Sequence, residues 1–165
     1  MEEYRIIKGY ENYSVSNFGI VKNNKTGKIL KPKIDNGYKR LQLCKEGIQK
    51  FFGVHRLVGL MFIDNPDNKP FVDHIDCNKQ NNNVINLRWC TNQENQRNTN
   101  LSNKNTSNVK GVHFNKQKNK WRAQIKIDGI SFHLGYYNTI EEAKQARIKK
   151  VNEVFGEFVH ASEKL

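Results

Sequence analysis

Asp73-His74-Ile75-Asp76 sits just ahead of a run of asparagines, with Asn86 and Asn95 further on. A carboxylate and an amide carbonyl are hard oxygen donors of the kind a divalent cation takes. With Asp73 and Asn95 as ligands, such an ion would hold a scissile phosphate and stabilise charge on the leaving oxygen. Neutral His74, whose ordinary pKa lies near working pH, would take the proton of the attacking water. The residue types therefore suit one-metal phosphodiester hydrolysis. Strand geometry raises an objection, because neighbours on a regular strand point to opposite faces. The strand carrying Asp73 and His74 must end or bend there. If it does not, Asp76 is the alternative ligand.

The elements that would position these groups are short. Residues 71–75 read as a strand, a polar loop runs through Asn83, and Asn86–Cys90 reads as a second strand. Thr91-Asn-Gln-Glu94 is a capping box that starts a helix at Asn92 and carries Asn95 in its first turn. Ahead of this unit, residues 13–17, 19–22, 38–44 and 48–54 read as strands, the last two a hairpin around Lys45-Glu-Gly47. The period then changes, and Val54, Leu57, Val58, Leu60 and Met61 fit one face of a short helix. Residues 96–108 have linker composition.

In the last stretch, Val109–Phe114, Trp121–Ile127 and Ile130–Tyr137 read as strands, the latter two joined at Asp128-Gly129. Trp121, Ala123, Ile125 and Ile127 alternate with Arg122, Gln124 and Lys126. A second capping box, Thr139-Ile-Glu-Glu142, opens a helix with Ile140, Ala143, Arg147, Val151 and Val154 on one face. A helix on the apolar face of three antiparallel strands would leave the other face polar and basic.

The fold class expected is thus α+β in modules. Residues 1–54 form a small antiparallel β-rich module, and 55–98 a helix followed by a strand–strand–helix metal unit. Residues 99–108 are a linker, and 109–160 a three-stranded antiparallel sheet with one packed helix.

Charge names the partner class. The 165 residues carry a formal net charge of +12, with a pI near 9.7. That balance points to a polyanion, nucleic acid first and an anionic membrane surface second. Residues 1–70 hold 13 Lys/Arg against 7 Asp/Glu, 71–105 hold 4 against 3, and 106–165 hold 11 against 6. Two basic arms flank a nearly neutral centre, an arrangement suited to gripping DNA at both ends. With 36% hydrophobic residues and a mean hydropathy of −0.81, small modules suit the chain better than one large core. No apolar run approaches the roughly 18 residues of a membrane span, and the first residues lack a secretory signal core. The cytoplasm is the expected location. Cys44, Cys77 and Cys90 form no C-x-x-C pair, which argues for a reducing compartment and against structural zinc.

The stretch D-H-I-D-C-N-K-Q-N-N-N-V-I-N-L-R-W-C-T-N-Q-E-N resembles the His-Asn-His (HNH) nuclease motif of phage-type homing endonucleases. That resemblance implies a ββα-metal fold, His74 as general base and Asn86 as the brace that fixes the histidine. It also implies Asp73 and Asn95 as ligands of one divalent ion, Mg²⁺ by availability with Mn²⁺ as alternative. Asn95 stands where many relatives have the last histidine. Residues 81–83 are then loop filler. Tyr4–Met61, with G-Y-E-N-Y-S-V-S-N-F-G and V-H-R-L-V, is similar to the nuclease-associated modular domain that often precedes this motif.

Lys110-Gly-Val-His113 through L-G-Y-Y-N-T-I-E-E-A-K resembles the DNA-binding domain of plant Apetala and ethylene-response factors. By that resemblance Lys110, His113, Asn115, Gln124, Lys126, Ser131 and His133 face DNA, and strand alternation adds Arg122. Lys22, Lys25, Lys28, Lys31, Lys33, Lys39 and Arg40 are expected to contact phosphate. His55, Trp89 and Trp121 are read as structural.

The leading reading is a homing-like DNA endonuclease acting on duplex DNA, with a monomer on DNA slightly favoured. The alternative is a DNA-binding regulator with an inactive nuclease centre. An RNA-binding protein would show exposed aromatics on a sheet face, where this chain has Arg, Gln and Lys.

Overall fold

The structure is a computed structural model that describes residues 1–98, 105, 107–160 and 163. The chain divides into two compact units, Met1–Asn92 and Gln93–Leu165.

In the first unit, β1 (Tyr4–Ile7), β2 (Tyr10–Ser16) and β3 (Val21–Asn23) form one antiparallel sheet, and β4 (Lys33–Asp35), β5 (Tyr38–Lys45) and β6 (Ile48–Gly53) a second. Helix α1 (Val54–Phe62) follows β6 directly, and the hairpin β7 (Phe71–His74) and β8 (Leu87–Cys90) comes next. Asn36-Gly37 and Glu46-Gly47 turn β4 into β5 and β5 into β6, and all four residues have positive φ. That is the turn whose twist matches a hairpin's own. Sequence patterning finds β2, β3, β5 and β6 but passes over the short β1 and β4.

One core joins everything in this unit. Val15, Val21, Leu41, Leu43, Val54, Leu57, Val58, Val72, Leu87 and Trp89 are all buried in it. The β-rich stretch and the hairpin therefore share a single apolar interior. Leu60, expected on the inner face of α1, is exposed, and the buried side is Val54, Leu57, Val58 and Gly59. Gly59 lies against Val72 and Trp89, so the helix meets the hairpin where it has no side chain. Trp89 is core as expected, its Nε1 donating to the Ile63 carbonyl at 3.0 Å. The three cysteines are free thiols.

In the second unit, β9 (Val112–Asn115), β10 (Lys120–Ile127) and β11 (Ile130–Tyr137) form an antiparallel sheet with β10 in the centre. Helix α3 (Ile140–Phe155) packs on it, and its capping box is complete at both Thr139 and Glu142. Val112, Ala123 and Ala143 make one apolar cluster, and Ile125, Val151 and Val159 another.

Two details differ from the sequence reading. The first strand starts at Val112 rather than Val109, because Gly111 adopts a left-handed turn (φ +60). On α3 Ile148 is buried along with Ala143 and Val151, while Val154 is exposed. Arg147, also buried, donates from Nη1 to the Gln124 carbonyl and pairs with Glu163. The linker expected at 99–108 lies largely outside the described residues. No helix among the described residues is long and apolar enough to cross a membrane.

Candidate active site

The strand carrying Asp73 and His74 ends at His74. Across the hairpin, Asp73 faces Arg88 and His74 faces Leu87. The Ile75 amide still bonds the Asn86 carbonyl at 2.9 Å, and the Cys77 amide then turns back onto the His74 carbonyl at 2.9 Å. Cys77 has φ +61, and the chain leaves the sheet there. The break thus comes after both residues, and Asp73 and His74 are still successive members of the paired strand.

Both residues are buried, Asp73 5% and His74 4% exposed. The Asp73 carboxylate accepts from Arg88 Nε at 3.0 Å and Nη2 at 2.9 Å, both on Oδ2. His74 Nε2 lies 3.1 Å from Asn82 Oδ1. Burial pushes the His74 pKa below its ordinary value of 6.5. The Asn82 hydrogen bond and the nearby Asp73 and Asp76 carboxylates oppose that shift, while the Lys79 ammonium adds to it. The imidazole is thus held neutral at neutral pH, the form a proton acceptor needs.

Asp76 organises the loop. Its Oδ1 accepts from Asn86 Nδ2 and from the Asn78 amide, both at 2.8 Å, and its Oδ2 from Asn81 Nδ2 at 2.8 Å. Asn86 in turn accepts from the Asp76 amide (3.1 Å) and donates to the Asn81 carbonyl (2.9 Å). These donors hold the Asp76 carboxyl below its usual pKa against the opposing effect of burial. Both oxygens of Asp76 are thus engaged in holding the loop.

Asn86 braces the loop ends. Asn82 meets the histidine ring, with its Oδ1 on Nε2. Residues 81–83 are not filler: Asn81 binds Asp76, Asn82 binds His74, and Asn83 caps the 3₁₀ turn Val84–Asn86 through the Ile85 amide.

His55 stands beside this centre. Its ring centroid is 5.2 Å from that of His74 and 5.1 Å from Tyr38. Burial, then the His74 and Arg56 charges, lowers its pKa to about 4. Its Nδ1 is buried without a hydrogen-bond partner among the described residues. Lys79 Nζ lies over the Tyr38 ring at 4.4 Å. Sequence spacing places His55 and Tyr38 far from His74, and only the shared core brings them together.

Asn95 lies on α2 (Asn92–Arg97), which begins where the sequence predicts. Asp73 belongs to the first unit and Asn95 to the second, and each side chain carries an oxygen donor. The Arg88 guanidinium beside Asp73 would oppose a cation placed on that carboxylate.

The expected DNA-facing residues of the second unit mostly share one face. His113 is opposite Arg122, Gln124 opposite His133, and Lys126 opposite Ser131. Asn115 lies two residues on from His113, and its Oδ1 caps the following turn at the Lys118 amide (2.9 Å). Lys110 precedes the sheet, with its Nζ on the Arg97 carbonyl at 3.0 Å.

The basic residues of the first unit are less uniform. Lys25, Lys28, Lys31 and Lys33 are exposed. Lys22 lies over the Tyr4 ring at 3.9 Å, and Arg40 is paired with Asp35. Lys39, adjacent to Arg40 on β5, points to the opposite face of the sheet.

Residues 2–44 match the NUMOD4 motif and residues 52–97 an HNH endonuclease. DNA endonuclease I-HmuI of Bacillus phage SP01 is 50% identical over 99 residues, 57% of each chain. An HNH endonuclease of Acanthamoeba polyphaga mimivirus is 43% identical over 90 residues, 54% of this chain and 27% of the relative. The chain thus spans between about a quarter and just over half of these curated relatives. A solved structure titled as DNA binding and cleavage by the HNH homing endonuclease I-HmuI superposes with a TM-score of 0.56 at 35% identity, covering 93% of this chain and 91% of that one. With that identity over nearly the whole of both chains, the protein belongs to the HNH endonucleases, with a NUMOD4 motif ahead of its nuclease hairpin.

Proposed function

We propose that this chain is a site-selective, metal-dependent endonuclease of duplex DNA, with His74 as its general base. One observation carries the reading. A buried neutral imidazole is held at the end of a hairpin beside Asp73, the geometry a water-activating base needs. The solved relative's title describes DNA binding and cleavage, and the net charge of +12 suits the same polymer.

In this mechanism Asp73 and Asn95 would hold one divalent ion, Mg²⁺ or Mn²⁺, which would supply charge stabilisation at the scissile phosphate. Arg88 fixes the Asp73 carboxylate. His74 accepts the proton of the attacking water. Asp76 and Asn86 keep the loop closed beneath it. The sheet face bearing His113, Asn115, Arg122, Gln124, Lys126, Ser131 and His133, with Lys110, reads DNA in the manner of an Apetala-type domain. Lys22, Lys25, Lys28, Lys39 and Arg40 contribute phosphate contacts from the first unit.

The test is incubation with supercoiled and linear DNA carrying candidate sites from the source genome, with Mg²⁺, Mn²⁺ or EDTA, followed by end-group analysis. Metal-dependent cutting at defined positions, leaving 5′-phosphate and 3′-hydroxyl ends, is expected. Tight DNA binding without cutting in any metal would overturn the proposal.

A further inference from the structure

We infer that Asn82 is a positioning residue for His74, and that the turn at Asn17–Gly19 in the NUMOD4 region holds Asn82 in place. The inference rests on the reading of His74 as a base and adds what sets that base in its working form.

The amide orientation of Asn82 is fixed at both ends. Its Nδ2 donates to the Gln80 carbonyl at 3.3 Å, so Oδ1 is the atom facing His74 Nε2 at 3.1 Å. An acceptor at that position requires the proton on Nε2 and leaves the lone pair on Nδ1. Asn82 is itself only 4% exposed, so water does not readily replace it.

What presses on Asn82 comes from the other end of the unit. Gly19 has φ +79, and a Cβ there would lie 2.7 Å from Asn82 Cβ and 3.1 Å from Val54 Cγ1. Only glycine allows the turn to seat against the loop this closely. Two residues earlier, the Asn17 carbonyl accepts from the Val84 amide at 2.8 Å, just past the asparagine run.

The turn is well braced. Buried Ser16 accepts at Oγ from the Phe18 and Ile20 amides (3.3 and 3.1 Å), and its carbonyl accepts from the Gly19 amide (2.9 Å). Asn17 and Glu3 are tied by two hydrogen bonds of 3.0 Å. A continuous set of packed and hydrogen-bonded groups therefore runs from the first sheet to the imidazole. The N-terminal region does more than carry positive charge: it clamps the loop that sets the tautomer of the base.

The experiment uses the full chain, ¹⁵N-labelled on histidine, at a pH where the imidazole is neutral, in EDTA for the spectra and in Mg²⁺ for the cleavage assay. Long-range ¹H–¹⁵N correlation reads the tautomer, and single-turnover cleavage reads the rate. His74 of the wild type should show a protonated Nε2. Asn82→Leu, which keeps the volume and removes the acceptor, should give a tautomer mixture and a rate lowered about 10²-fold with unchanged DNA affinity. Asn82→Asp, which keeps an oxygen acceptor, should retain the Nε2-protonated pattern and recover most of the rate. Gly19→Ala should reproduce the Asn82→Leu spectrum.

An unchanged tautomer and rate in Asn82→Leu would overturn the inference. If that variant does not fold, loss of the Nε2-protonated pattern in Asn82→Asp, or its persistence in Gly19→Ala, would do so. The expected tautomer pattern in a wild type that cuts no DNA would sink the nuclease reading and leave the clamp supported.

Discussion

Arg88 and Asp73 face each other across the β7–β8 hairpin, and both guanidinium bonds, from Nε at 3.0 Å and Nη2 at 2.9 Å, fall on Asp73 Oδ2. The pair is nearly buried, with side chains 13% and 6% exposed. Arg88 thus orients the carboxylate and would compete with a cation placed there.

Replacing Arg88 separates those roles. Arg88→Met should cost about 3 kcal/mol of stability, since it removes one member of a nearly buried ion pair. The same change should tighten Mn²⁺ binding to DNA-free protein by roughly tenfold, as one repelling charge is gone. Urea unfolding and calorimetric titration check the two effects. Weaker metal binding in the variant would show that orientation outweighs repulsion.

Asp76 gives a contrasting case. Three donors converge on its carboxylate, so Asp76→Ala should lose on the order of 2–3 kcal/mol. Metal affinity should stay within a factor of two or so of wild type. A variant of normal stability that no longer binds metal would make Asp76 a ligand after all.

The two histidines predict a pH response. Folded His74 and His55 have pKa values below 6.5, His55 at about 4, while both return to 6.5 when the chain unfolds. The unfolded state therefore binds more protons below pH 6.5, and stability should fall as pH drops from there toward 4. For His55, still partly reached by solvent, the loss should be on the order of 2 kcal/mol. Unfolding at pH 7.5 and 4.5 measures it, and His55→Phe should flatten the dependence. Cleavage should likewise persist as pH falls past 6.5, because His74 stays neutral there, and be lost only through its lower folded value. A rate that halves at pH 6.5 or above would contradict the burial argument.

Gly111 tests the second unit. A Cβ there would meet the Arg147 guanidinium and the Gln124 carbonyl, at a backbone φ of +60. Gly111→Ala should destabilise this unit by about 2–4 kcal/mol through steric clash and backbone strain. Hydrogen exchange should show the loss in β9, β10 and α3 with β1–β6 unaffected.

DNA affinity should fall steeply with salt, and each lost phosphate contact should lower the slope by about 0.9. Lys126→Ala on the exposed sheet face is the first variant to measure. Lys39→Ala should change the slope less than Lys28→Ala, because Lys39 is half-buried and turned from the face that carries Arg40.

How much of this was legible in the sequence depended on range. The turns at Glu46-Gly47 and Asp128-Gly129, the capping box at Thr139 and the alternation of β10 are local patterns, and they appear in the structure as read. The pair Asp73 and His74 was legible by residue type and spacing. Asn82 was not, because one asparagine in a run looks like any other until a fold brings the ring of His74 to it. His55 and Tyr38 were hidden for the same reason, lying 19 and 36 positions upstream. Leu60 and Val154 show the converse error, since apolar periodicity gives a face and not what covers it.

The most direct measurement is single-turnover nicking of target-bearing supercoiled DNA by wild type and His74→Ala, each in Mg²⁺ and in EDTA. The account predicts cutting by the wild type in Mg²⁺ alone, and a loss of about 10²-fold or more in the variant with DNA affinity retained. Equal rates for the two proteins in Mg²⁺ would contradict the assignment of His74 as the base.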